Sequence, residues 1–171
     1  MLERLHAHIW WQGKSGMLAS QLPKQIRIML QFEDPPSYLV VHVGGNDIGK
    51  ENIGYLRNNL KLFLRTIQRK LPNTIIVWSH ILPRRSYRFF TNNKAMEKCR
   101  YRLNNSIAKF VLEEMGGRYI RHPELFRSWS LFGDDGVHLT SFGNNLFLND
   151  LQGGLECFIS NPGGSRVFPL S

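Results

Sequence analysis

The chain has 171 residues, 42% of them apolar, and a formal net charge of +9. That length suits one domain with a real core. No apolar run approaches the roughly 20 residues of a bilayer span, and two cysteines, Cys99 and Cys157, make no disulfide framework and match no metal spacing. The excess of positive charge admits an acidic partner such as nucleic acid and is silent about fold.

The opening residues lack the apolar region of a signal peptide, so an intracellular, cytoplasmic location is expected, with no membrane partner. Residues 7–11 (AHIWW) form a short apolar run ended by Gln-Gly and are expected as a strand. Leu18, Leu22, Ile26 and Leu30 recur every four residues, which predicts a helix over 17–30 despite Pro23. Residues 38–43 (YLVVHV) read as a buried strand introduced by the turn signal Pro35-Pro36-Ser37. A strongly amphipathic helix is predicted over 53–71, with Leu56, Leu60, Phe63, Leu64, Ile67 and Leu71 inward. Residues 74–82 (TIIVWSHIL) predict a second buried strand, stopped by Pro83. A long helix over 93–115 ends at Gly116-Gly117, and 118–121 is a short strand. The last helix is expected over 140–151, and the Gly/Pro/Ser-rich segment 153–171 as a loose tail. Strands alternating with helices of this length predict an α/β domain with a parallel sheet covered on both faces.

Much of the positive charge is grouped. Arg57, Lys61, Arg65 and Arg69 share one helical face, Arg84, Arg85 and Arg88 sit in a loop with Tyr87, Phe89 and Phe90, and Lys94, Lys98, Arg100 and Arg102 follow. A solvated surface is the plainer reading of this grouping and a phosphate-binding face the alternative, to which the aromatics beside the arginines add a little weight.

Two stretches carry polar residues where ligand sites occur in open α/β sheets, beyond the carboxyl ends of strands. The first is HVGGNDIGK, residues 42–50. Its Gly-Gly step permits a sharp turn, while Asn46 and Asp47 serve either as turn formers or as ligand-facing groups. The second is GDDGVHLT, residues 133–140. Asp135 and His138 are three apart, a spacing that can bring a carboxylate to imidazole Nδ1 and leave Nε2 as a base. An Asp-Gly turn leading into a helix capped by Thr140 is the plainer reading.

Together the two stretches resemble the motif blocks of the SGNH (GDSL-type) hydrolase superfamily, Gly-x-Asn-Asp and, near the carboxyl terminus, Asp-x-x-His. Gly44, Asn46 and Asp47 match the first, with Gly45 as x; Asp135 and His138 match the second; Gly16 corresponds to the block glycine that follows another strand. The chain is similar in this to SGNH-like domains carried by some vertebrate retroelements. The resemblance implies a flavodoxin-like three-layer α/β/α fold, carboxylic-ester hydrolysis without a cofactor, and a small acyl-ester substrate. It implies His138 as general base oriented by Asp135, Asn46 and the Gly16 amide as oxyanion donors, Gly44 as the turn, and Asp47 as a brace for the loop.

The family's first block, a strand ending in Gly-Asp-Ser whose serine is the nucleophile, has no counterpart in the sequence. Ser15 does not replace it: Met17 stands where a nucleophile elbow requires glycine, and His8 stands where a phosphate loop around Gly13-Lys14-Ser15 requires one. Ser79 ends a strand, but another one. The expectation is therefore an N-terminally incomplete SGNH-like domain over 1–152, lacking the central first strand and inactive as this chain. The alternative is a non-catalytic basic module that binds nucleic acid or other acidic partners through Arg57, Lys61, Arg65 and Arg69.

Overall fold

A computed structural model describes residues 7–87 and 92–170. Arg88, Phe89 and Phe90 of the aromatic-basic loop lie outside them.

Four parallel strands, β1 (Tyr38–Val41), β2 (Ile75–Ser79), β3 (Arg118–Ile120) and β4 (Val167–Phe168), lie in the order of the chain. Helices connect them. α1 (Leu22–Met29) precedes β1, α2 (Ile53–Lys70) joins β1 to β2, and α3 (Asn93–Glu114) joins β2 to β3. α4 (Pro123–Arg127) and α5 (Ser141–Ser160) then lead to β4. Helix α2 starts where the Asn52 side chain accepts hydrogen bonds from Gly54 N and Tyr55 N, and α5 where Thr140 Oγ1 accepts from Gly143 N. Leu56, Leu60, Leu64 and Ile67 form the buried stripe of α2; burying each contributes about 1.5–3 kcal/mol.

Strand alternation assigns the two faces of the sheet. Leu39, Val41, Ile76, Trp78 and Tyr119 pack with α1, α2 and α3. Tyr38, Val40, Val77 and Ile120 pack with Leu151, Leu155 and Phe158 of α5. The result is the expected three-layer α/β/α arrangement.

β1 stands at an edge of the sheet, and among the described residues no strand pairs with its outer side. Its sequence is apolar without alternation, the pattern of a strand covered all round. Yet three of its four residues are only half-buried, whereas β3 is wholly buried. An uncharged, apolar edge is the kind that folded proteins usually protect.

Several expectations need correction. Residues 7–11 form no strand: Ile9 packs on the α5-side cluster, Trp10 and Trp11 are half-exposed, and among the described residues no neighbouring strand offers this segment a ladder. Pro23 falls in the first turn of α1, so the predicted helix over 17–30 divides into a 3-10 turn, Ala19–Gln21, and α1. Residues 153–170 are not a loose tail. Helix α5 runs through Gly153 and Gly154 to Ser160: Ile120 packs on Gly154 where a Cβ would collide, Phe168 lies close against Gly153, and Val167–Phe168 adds a fourth strand beside β3. Helix α4 and the 3-10 turn Trp129–Leu131 carry no clear periodic signal. No helix among the described residues is long and apolar enough to cross a membrane.

Candidate functional site

Both motif stretches emerge at the carboxyl edge of the sheet. After β1 the chain turns at Gly44, whose φ of 103° favours glycine and whose carbonyl accepts from Asp47 N and Ile48 N. Asp47 is buried, its carboxylate accepting the Ala19 N–H at 3.2 and 3.1 Å. This ties the loop to the 3-10 turn, and burial pushes the Asp47 carboxyl above its ordinary value. Asn46 donates from Nδ2 to the Met17 carbonyl at 3.2 Å and accepts at Oδ1 from Arg84 Nη2 at 2.9 Å. Gly16, with φ of 68°, stands one residue before that Met17 carbonyl.

The second stretch folds as a turn around Asp135. Its Oδ1 accepts from Val137 N and His138 N at 2.8 and 2.9 Å, and its Oδ2 meets His138 Nδ1 at 2.5 Å. These three donors, the imidazole first, hold the Asp135 carboxyl down at about 2. A carboxylate on Nδ1 fixes the proton there and leaves Nε2 as an acceptor. The His138 side chain is 80% exposed, so that nitrogen faces solvent.

The segment after β2 joins the two stretches. Arg84 bonds Asn46; the next residue, Arg85, donates its N–H to the Gly136 carbonyl at 2.8 Å, and Ser86 Oγ donates to the Asp135 carbonyl at 3.2 Å. Gly136, at φ 64°, lies against the Arg85 side chain where a Cβ would collide. Glu97 of α3 braces the segment, accepting from Arg84 N, Tyr87 OH and Arg100 Nε. Thus Asn46 and the Asp135–His138 pair, distant in sequence, are tied to consecutive arginines on one edge. Asn46 and His138 make no direct hydrogen bond.

A second polar constellation lies on the α5 face. Asp150 Oδ2 meets His122 Nδ1 at 2.9 Å, His122 Nε2 meets Ser79 Oγ at 2.9 Å, and Ser79 Oγ meets His42 Nδ1 at 3.0 Å. The proton order follows from the carboxylate. His122 donates from Nδ1, so Nε2 accepts the Ser79 hydroxyl proton, and Ser79 oxygen accepts from His42 Nδ1. Ser79 and His122 are completely buried, and desolvation drives His122 below its ordinary value. His42, exposed as a residue but with its imidazole crowded by protein, is pushed down to about 3, by desolvation first and then by His122 and Arg84. The Phe147 ring packs on both imidazoles. Strand alternation carries the signal for this chain: His42, Ser79 and His122 continue the α5-facing positions of β1, β2 and β3.

The grouped charges have different surroundings. Arg65 pairs with Glu114 at 2.5 Å, and Lys61 and Arg65 both lie over the Phe110 ring. Arg100 is buried on Glu97 and the Ile81 carbonyl, so it belongs to the interior and not to a surface patch. Among the described residues no group of three or more His, Cys, Asp or Glu is placed to hold a metal ion.

No protein-family model and no curated protein sequence matches the chain. Solved structures do. A GDSL-like lipase from Bacteroides thetaiotaomicron superposes with a TM-score of 0.68 at 19% identity, covering 85% of this chain and 74% of that one. A family 3 carbohydrate esterase from Clostridium thermocellum gives 0.66 at 18%, covering 90% and 72%. The carbohydrate esterase family 3 structure from Talaromyces cellulolyticus gives 0.65 at 17%, covering 87% and 71%. The chain has the fold of these SGNH hydrolases, and the level of identity speaks to the fold alone.

Proposed function

We propose that this chain is a carboxylic-ester hydrolase domain of the SGNH type that holds the base and oxyanion half of the site and takes its nucleophilic serine from a strand outside these 171 residues. The observation that carries this reading is the Asp135–His138 pair bound through Arg85 and Arg84 to the Asn46 loop on the carboxyl edge. The open, apolar outer side of β1 supports a docking place for the absent strand. The solved lipase and esterases of the same fold point to an ester as the substrate class.

In this reading the serine hydroxyl attacks the acyl carbon and His138 Nε2 takes its proton while Asp135 stabilises the imidazolium. The Asn46 amide and the Gly16 N–H receive the negative oxygen, each such donor lowering the barrier by roughly 3–4 kcal/mol. His138 returns the proton to the leaving alkoxide, then activates water to release the acid. No cofactor enters these steps.

The 171-residue chain alone is expected to show no serine-dependent hydrolysis of p-nitrophenyl acetate. Turnover well above buffer that a serine-reactive phosphonate abolishes would contradict the reading and point to Ser15 or Ser79.

A second reading makes the chain a non-catalytic module that binds nucleic acid. The net charge of +9 and the exposed Arg57 and Arg69 of α2 favour it, while the Arg65–Glu114 pair weakens it.

A further inference from the structure

We propose that Arg84 is the positioning residue of this site: its guanidinium sets which end of the Asn46 amide faces it and thereby leaves one Asn46 N–H aimed away for an acyl oxygen. The inference rests on the hydrolase reading for its purpose and on geometry for its substance.

An arginine side chain only donates, so its contact at 2.9 Å must be with the Asn46 carbonyl oxygen and not with the amide nitrogen. The nitrogen then lies on the far side, where one of its two hydrogens goes to the Met17 carbonyl. One hydrogen is left over. Without Arg84, the two ends of the amide would be distinguished by Met17 alone, and a flipped amide would turn an acceptor toward the place where negative charge develops.

The second glycine of the motif agrees. A Cβ on Gly45 would lie 3.0 Å from Arg84 Nη2 and 3.6 Å from Cζ, so the guanidinium rests on the one residue that leaves room for it. The backbone of Arg84 is held from behind by Glu97, which buried Tyr87 and Arg100 hold in turn. Among the described residues no carboxylate lies within ion-pair distance of the guanidinium; Glu97, which accepts from the Arg84 N–H, and then Asp135 and Asp47 act on it only from farther away. A partly buried positive charge without its own counter-ion therefore stays available beside Asn46, where it adds to the stabilisation of an oxyanion.

The test follows the Asn46 side-chain amide by NMR in the 171-residue chain. The wild type should give two separate δ-amide proton resonances with slowed solvent exchange. Arg84→Met should bring them toward a solvated asparagine and speed exchange at least about tenfold, the factor that about 1.4 kcal/mol represents. Arg84→Lys, which can still donate one hydrogen bond, should restore part of the effect. Gly45→Ala should disturb the same resonances in the wild-type background. It should add nothing further in the double variant Gly45→Ala/Arg84→Met, where the shorter, uncharged thioether leaves room for the added methyl. An Asn46 amide that is indifferent to Arg84→Met in a folded protein would overturn the proposal; if that variant does not fold, an amide indifferent to both Arg84→Lys and Gly45→Ala would do the same. The readout needs no turnover, so the hydrolase reading can fail while the positioning stands, and the reverse.

Discussion

Ser79→Ala removes a single hydroxyl that is completely buried and bonded to an imidazole on each side. Asp150 accepts the hydrogen bond from His122 Nδ1–H, so the loss leaves His122 Nε2 as a buried acceptor without a donor. Stripping such a group costs about 1–3 kcal/mol. His42 Nδ1 loses its partner as well. The expected destabilisation is about 2 kcal/mol, or roughly 4–8 °C in Tm for a chain of this size. Asp150→Asn keeps an acceptor for the Nδ1 proton and should cost less than about 1 kcal/mol. In the double variant Ser79→Ala/His122→Phe both polar partners are gone, so its destabilisation should be smaller than the sum of the two single effects. Urea unfolding with an unchanged slope measures all of these from the midpoints. A Ser79→Ala protein within about 0.5 kcal/mol of wild type, the range of an ordinary surface change, would refute the hydrogen-bond order assigned to the chain.

Buried His80 and His122 both resist protonation, His80 down to about 3. Below the ordinary imidazole value the unfolded chain therefore binds more protons, and stability should fall as pH drops from about 6.5, by up to about 1.4 kcal/mol per unit for each; equal urea midpoints at pH 7 and pH 5 would contradict this. The Asp135 carboxyl, held at about 2, should rise only part of the way toward its ordinary value of 3.8 in His138→Ala, because the backbone N–H groups of residues 137 and 138 still donate to it, as followed by its side-chain NMR signal; an unmoved titration would remove the imidazole as the leading cause. Any nucleic-acid binding should rest on phosphate contacts from Arg57, Lys61 and Arg69, lack sequence preference and weaken steeply with salt in a filter or anisotropy assay. Affinity retained at several hundred millimolar salt would speak against that surface.

The fold is legible because its elements announce themselves locally. The stripe of Leu56, Leu60, Leu64 and Ile67 and the apolar runs over 38–43 and 74–82 need no tertiary information to be recognised, although the strands themselves stop earlier, at Val41 and Ser79. Residues 7–11 have strand composition, but composition cannot supply the partner a ladder requires. Gly153 and Gly154 suggest a helix end, whereas their hydrogens make room for Phe168 and Ile120. At the site, Asp135 and His138 are readable from spacing, since three residues in a turn set the contact. Arg84 reads as one more surface charge, because nothing local to a loop says that its guanidinium reaches back to Asn46. The His42–Ser79–His122 set follows from counting alternate positions past three strand ends; Asp150 does not, because it depends on how α5 seats on the sheet.

The most direct measurement compares the 171-residue chain with the same chain extended by an apolar strand ending in Gly-Asp-Ser. Thermal unfolding and ester turnover are recorded for both, with serine-to-alanine and His138→Ala versions of the extended protein as controls. A strand that pairs with the open side of β1 should raise Tm and bring turnover that both controls abolish. An extended chain no more stable than the short one, and no more active than its controls, would contradict the half-site and its missing strand together.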